Sequence, residues 1–427
     1  LRPRVRGWLW PTVACLCAGA ASAGVSGGRP AGGGDEAPPD VLATLLADAS
    51  ERLGPVLRHP ARHRVQIIYT QIDRDASNAP RFRSYRYRVD PDEYFYPAST
   101  VKLPTAIVAL EKLNRLAIEG LDRDTPMFTG AASPAQSAVE RDPLAPGGVP
   151  TVGQYVRRIA LVSDNDAFNR LYEFVGQDAL NATLRDKGLE GVRIIHRLEL
   201  ALDLRQNRHT NPVVFRRGEQ VLYRQPAIIS TGDWIGDGPI LLGRAEVIAG
   251  ELRQAPKDFA VKNALPLQAL HDVVQELMFP GSVGGRMRFA LTPADYRLLY
   301  TSLSAYPRES GIPAFADPER YPDGYVKFLM FGGDAARIPP GIRVFNKVGD
   351  AYGFLTDAAY VVDFDHGVEF LLAATVYTNA NQTFNDNDYE YDTIGFPFLA
   401  ALGQEVYAFE RTRVRPHAPD LERFRVH

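Results

Sequence analysis

The sequence predicts an α+β fold, and three observations carry that expectation. Runs of β-favouring residues lie towards both ends of the chain, at Arg64 to Ile72 and Phe82 to Val89, and again between Val344 and Tyr377. Between them, from the stretch around Ser99 to Ala305, apolar residues recur mainly at helical spacing. The composition, 45% hydrophobic and 23% charged over 427 residues, leaves enough apolar surface for a large core.

The first residues set a compartment. Arg2, Arg4 and Arg6 precede an apolar run from Gly7 to Ala21 and the small-residue site Ala21-Ser22-Ala23, the pattern of a secretory signal peptide cleaved after Ala23. The run is too short for a membrane span, so a secreted, periplasmic chain without stable membrane insertion is expected. Both cysteines, Cys15 and Cys17, fall in this segment, and the remaining chain therefore relies on its core and not on disulfides or thiolate metal sites. Removing the segment takes the formal charge from −3 to about −6, which argues against nucleic acid as a partner. Gly24 to Asp40, rich in Gly, Ala and Pro, reads as a linker.

Each element has a local reason. Val41, Leu42, Leu45 and Leu46 start a helical period that runs to Leu57, and the two strand-like runs that follow, split by a polar turn, make an antiparallel pair. Thr151 is placed to cap a helical stretch with apolar residues at Val152, Tyr155, Val156 and Ile159, continuing to Val175. A helix from Gln177 to Lys187 is closed by Gly188. An irregular stretch to Asp258 contains a hairpin, Val213–Phe215 with Val221–Tyr223. Helices over Pro266–Met278 and Thr292–Ala305 precede a Gly- and Pro-rich segment, Pro313 to Pro340, read as a surface insertion. Strands at Val344–Val348, Thr356–Val362 and Phe370–Tyr377 lead to a helix from Asp392 to Glu410, with Asp392 as its cap, and a basic tail.

The chemistry starts at Ser99-Thr100-Val101-Lys102. On a helix, positions i and i+3 share a face, which brings a hydroxyl and an amine within reach. A serine becomes a good nucleophile when a neighbour takes its proton, and a lysine does so when burial or nearby positive charge lowers its pKa. Only seven of the 48 Lys and Arg residues are lysine, which makes this one more telling. Taken alone the pattern is weak and is more often that of a surface helix with a serine cap.

Two further motifs follow in order, Ser163-Asp164-Asn165 and Lys347-Val348-Gly349. Together the three resemble the S-x-x-K, S-D-N and K-T-G set of penicillin-recognising serine enzymes, in particular class A β-lactamases. Arg197-Leu198-Glu199, thirty-six residues after Ser163, resembles the R-x-E that opens the family's Ω-loop, and Asn169 matches an asparagine that pins it.

The resemblance implies an antiparallel sheet built from both chain ends, flanked by the terminal helices, with a helical lobe inserted between. The corresponding boundaries are a signal peptide at 1–23, a linker at 24–40, a hydrolase domain at 41–411 and a tail at 412–427. Within the domain the sheet lobe takes 41–98 and 341–411, the helical lobe about 99–305, and insertions about 204–258 and 313–340. It also implies roles. Ser99 is the nucleophile, Lys102 its base or relay, Ser163 the proton donor to the leaving nitrogen, and Glu199 the activator of the deacylating water. Asn165, Lys347, Gly349 and Asp350 bind substrate, with the backbone N–H groups of Ser99 and Asp350 as oxyanion donors. Asn169 and Arg197 support the loop. The implied substrate is a small β-lactam or a peptide-like acyl compound, and the implied enzyme is a monomer without metal or cofactor.

Some positions depart from the family. Val348 stands where a hydroxyl residue is usual, Asp350 adds a negative charge beside the place of a substrate carboxylate, and no arginine lies near Thr356. These departures favour an amidase or peptidase on a cell-wall peptide or other acyl substrate as the alternative, with a non-catalytic binding protein as the second. Glu199 also reads as a loop carboxylate paired with Arg197, and Lys347 as a charge guarding a strand edge. His196 and His209 lack ligand spacing. The acidic run Asn385 to Glu390 lacks the central glycine of a calcium loop, and Gly236-Asp237-Gly238 follows no convincing strand.

Overall fold

In the computed structural model, which describes residues 40–236 and 238–427, five strands form one antiparallel sheet. They are β1 (Gln66–Arg74), β2 (Pro80–Tyr87), β3 (Ile342–Ala351), β4 (Phe354–Asp363) and β5 (Val368–Tyr377). The order across the sheet is β3-β4-β5-β1-β2, so the two chain ends meet where β1 pairs with β5, Gln66 opposite Thr375. The α+β class and the sheet built from both chain ends stand as the sequence predicts. Residues 1–39, with the expected signal peptide, its cysteines and most of the expected linker, lie outside the described residues, as does Asp237.

Every residue of β4 and β5 is buried, because helices cover both faces. On one face Val344, Leu355 and Leu372 pack with Leu42 and Leu53 of α1 (Val41–Asp48) and α2 (Ser50–Leu57), and with Phe398 and Leu402 of the helix Phe396–Thr412. On the other, Ile68, Tyr360 and Leu371 join the helical lobe through Ile107, Val274 and Leu270. A buried bidentate ion pair, Arg74 Nε to Glu369 Oε1 at 2.6 Å and Nη2 to Oε2 at 2.7 Å, ties β1 to β5.

Several boundaries shift for local reasons. The helix expected over Val41–Leu57 is two, broken at Ala49 (φ −85°, ψ 17°). Arg64 has a left-handed φ of 44°, so β1 begins at Gln66. The stretch 151–175 divides at Ser163 into α4 (Val152–Val162), capped by Thr151, and α5 (Asn165–Val175). Asp392 is no cap: it lies inside a wide turn, Tyr391–Gly395, and the helix starts at Phe396.

The segment read as a surface insertion, Pro313 to Pro340, is in part core: Lys327, Phe328, Leu329 and Met330 are buried. Its glycines serve close packing, since a side chain on Gly324 would come within 2.6 Å of the Phe331 carbonyl. The last residues also return to the molecule, with Phe424 fully buried 4.8 Å from the Tyr360 ring. Among the described residues no helix is long and apolar enough to cross a membrane.

Candidate active site

Ser99 sits on the 3₁₀ turn Ala98–Val101, entered through Ala98 with a left-handed φ of 46° and running into α3 (Lys102–Leu116). Against this turn packs Gly349 of β3. A Cβ there would lie 2.5 Å from the Pro97 carbonyl oxygen and 2.9 Å from the Ser99 nitrogen, so glycine permits the strand to approach the nucleophile's backbone. Gly349, expected as a substrate contact, thus has a packing role in the structure.

Lys102 is the first residue of α3 and has no exposed surface. Its Nζ donates to the Ser163 carbonyl at 2.5 Å, to Ser163 Oγ at 3.3 Å and to Asn165 Oδ1. Burial pushes its pKa well below the usual lysine range, helped by the Lys347 charge and opposed by Asp164, Asp350 and Glu199. The condition set by chemistry for a lysine base is therefore met.

Ser163 stands at the break between α4 and α5 in a left-handed conformation (φ 56°, ψ 42°). Asp164 holds the break open. It caps α5 by accepting from the Ala167 N–H at 2.8 Å, and it pairs with Arg158, Nη2 to Oδ2 at 2.6 Å, while Arg158 also reaches Asp142 at 2.7 Å. Ser163 Oγ accepts from Lys347 Nζ at 2.8 Å as well as from Lys102. With both lone pairs engaged, its own proton is free to be given to a ligand.

Lys347 is buried on β3, and desolvation brings its pKa down to about 7 against the pull of Asp350 and Asp357. Val348 points to the other face, 1% exposed in the apolar layer beneath α1 and α2. Asp350 lies at the solvent-facing end of the strand. The surrounding protein mass raises its carboxyl to about 6, with Lys347 and Lys102 opposing.

Asn169 holds the residue before Glu199: its Nδ2 donates to the Leu198 carbonyl at 3.0 Å, and the Leu198 N–H donates to Asn169 Oδ1 at 2.9 Å. Arg197 does not pair with Glu199. Its guanidinium is buried against Glu173 at 2.9 Å and donates to the His209 carbonyl at 3.0 Å. Glu199 is left exposed at a left-handed φ of 56°, with its charge bearing on Lys102. Asp203 caps the short helix Leu204–Arg208.

Beside the nucleophile stands an aromatic wall that no spacing rule announces. Tyr96 stacks on His196 at 6.2 Å and meets Tyr352 edge-on at 5.0 Å, and Phe259, just after the 204–258 insertion, closes on Tyr352 at 5.5 Å. Burial lowers the His196 pKa to about 4, aided by the Lys262 charge and opposed by its bond to the Arg197 carbonyl. Among the described residues no group of three or more His, Cys, Asp or Glu is arranged to hold a metal ion.

Residues 57–221 match the model of the beta-lactamase enzyme family. Over that segment the chain is similar to the beta-lactamase enzyme family. The segment contains Ser99, Lys102, Ser163, Asn165, Asn169, Arg197 and Glu199; β3, which brings Lys347 and Gly349 to them, lies outside it. Three solved structures illustrate the likeness. A β-lactamase from Desulfarculus baarsii DSM 2075 is 19% identical, with 85% of this chain and 97% of that one covered and a TM-score of 0.45. PBP-A is 17% identical, with 88% and 99% covered and a TM-score of 0.48. The β-lactamase of Streptomyces albus G is 17% identical, with 84% and 98% covered and a TM-score of 0.43. The fold rests on the sheet order given above. No curated protein matches the chain.

Proposed function

We propose that this beta-lactamase-family protein is a secreted serine hydrolase that opens the β-lactam amide through an acyl-enzyme on Ser99. The observation that carries the reading is the double engagement of Ser163 Oγ by Lys347 at 2.8 Å and by Lys102, one turn after Ser99, at 3.3 Å. Ser99 Oγ attacks the carbonyl carbon and its proton passes to Lys102, directly or through a water shared with Glu199. The backbone N–H groups of Ser99 and Asp350 receive the developing oxyanion. As the C–N bond breaks, Ser163 gives its proton to the leaving nitrogen and is resupplied along the Lys102 and Lys347 contacts. Asn165, whose Oδ1 accepts from Lys102, keeps its Nδ2 for the substrate's side-chain carbonyl. Glu199 then activates the water that hydrolyses the ester.

Asp350 favours a second reading in which the same machinery acts on a peptide-like amide without a carboxylate at that position. Intact-mass spectrometry after brief exposure to a penicillin and a cephalosporin separates the two. A transient adduct that clears in the wild type, persists in Glu199→Ala and is absent in Ser99→Ala supports the β-lactamase. Labelling of Ser99 by a fluorophosphonate without any β-lactam adduct refutes it and leaves the amidase.

A further inference from the structure

Away from the serine, three segments distant in sequence enclose a cavity of about 500 Å³: residues 61–64, 242–244 and 377–382. Its walls carry three guanidinium groups, Arg62, Arg64 and Arg244, and no carboxylate. None of the three forms an ion pair with a carboxylate among the described residues. The buried arginines Arg74, Arg158 and Arg197 do, with Glu369, Asp142 and Glu173. Three like charges around one polar cavity repel one another, and an anion between them removes that repulsion.

The walls are held in place. Arg64 donates through Nε and Nη2 to the Tyr94 carbonyl, at 3.1 and 2.6 Å, leaving Nη1 for another acceptor. Opposite, Gly243 takes a left-handed φ of 71° where a Cβ would come within 2.7 Å of the Gln382 carbonyl, so glycine lets this wall close on the chain after β5. The Arg244 N–H donates to that same carbonyl at 2.8 Å, and Ala245 and Glu246 continue as a parallel strand beside Thr383 and Phe384. Three acidic side chains bond to its walls without lining the cavity: Asp386 and Asp388 accept from the Asn381 amide at 2.8 and 3.4 Å, and Glu390 accepts from the Ala380 N–H at 3.1 Å.

We propose that this cavity is a binding site for a small polar phosphate ester, separate from the Ser99 cleft. Guanidinium forks match the paired oxygens of a phosphate. The volume exceeds that of a bare phosphate ion and falls in the range of small-ligand sites.

Calorimetric titration of the full chain with glycerol 3-phosphate, against sodium chloride at matched ionic strength, tests the proposal. Saturable binding is expected, weakened at least about tenfold in Arg62→Gln/Arg244→Gln through loss of two charge-assisted contacts. Both residues are exposed, so the variant is expected to melt at the wild-type temperature without ligand and to acylate Ser99 at the wild-type rate. No saturable binding, or equal binding by the variant, overturns the assignment.

Discussion

Asn169→Ala isolates the second half of the proposed cycle. The side chain exchanges two hydrogen bonds with the Leu198 backbone, at 3.0 and 2.9 Å, and residue 198 adjoins Glu199. Alanine leaves a buried N–H and a buried carbonyl unpaired, at about 1–3 kcal/mol each, so a stability loss of roughly 2–4 kcal/mol is expected after partial relaxation. The loop stays attached through Arg197, which keeps Glu173, the His209 carbonyl and Asn211. Glu199 alone loses its fixed place. A displacement of about 1 Å of a reacting group costs about a hundredfold in rate, so turnover falls by that order while acylation changes a few-fold at most. Stopped-flow with a chromogenic cephalosporin reads both: a burst of one product per enzyme followed by a slow phase. If acylation and turnover fall by the same factor, or neither falls, the loop does not act through Glu199.

Lys347→Met removes a charge that helps depress the Lys102 pKa. Lys102 then holds its proton to higher pH, and the acid limb of the acylation rate profile moves up; an unmoved limb contradicts the coupling. Phe424→Ala empties a fully buried ring site packed on Tyr360, Phe345 and Tyr300, and a loss of about 3–5 kcal/mol is expected in urea unfolding at unchanged slope. Glu369→Ala strands Arg74 and costs about 3–5 kcal/mol, whereas Arg74→Met/Glu369→Leu recovers most of it by the same unfolding measurement.

What could be read from the sequence was chemistry at short spacing and patterns with one period. Ser99 with Lys102, the Ser163-Asp164-Asn165 run and the Asn169 contact to the Glu199 loop each depend on residues whose local geometry is set by a helix or its end. The strands of the sheet were legible because their β-favouring runs are long. What escaped depends on tertiary neighbours. Nothing local marks Lys327 as buried; it is buried because its Nζ finds the Val344 carbonyl and Asn346 Oδ1 beneath β3. The aromatic wall joins Tyr96, His196, Phe259 and Tyr352 from four separate segments, and no period links them. Asp392 reads as a cap by residue type, but Pro397 sets the helix entry one turn later.

The way the sheet closes has a consequence for biogenesis. Ser99 and Lys102 belong to the part of the chain that leaves the sheet after β2, and Lys347 to the strand that begins the return, 184 positions along the chain from the Ser163 that its amine contacts. Pairings across such separations form slowly, after the intervening segment has been organised. A chain emerging from its N-terminus therefore carries its serine for most of its length before the groups that arm it arrive, and the pairing of β1 with β5 waits longer still. On the proposed mechanism, a nascent or truncated chain that stops short of β3 lacks Lys347 and is expected to be inert, so the appearance of acylation at Ser99 would read out the docking of the last strands.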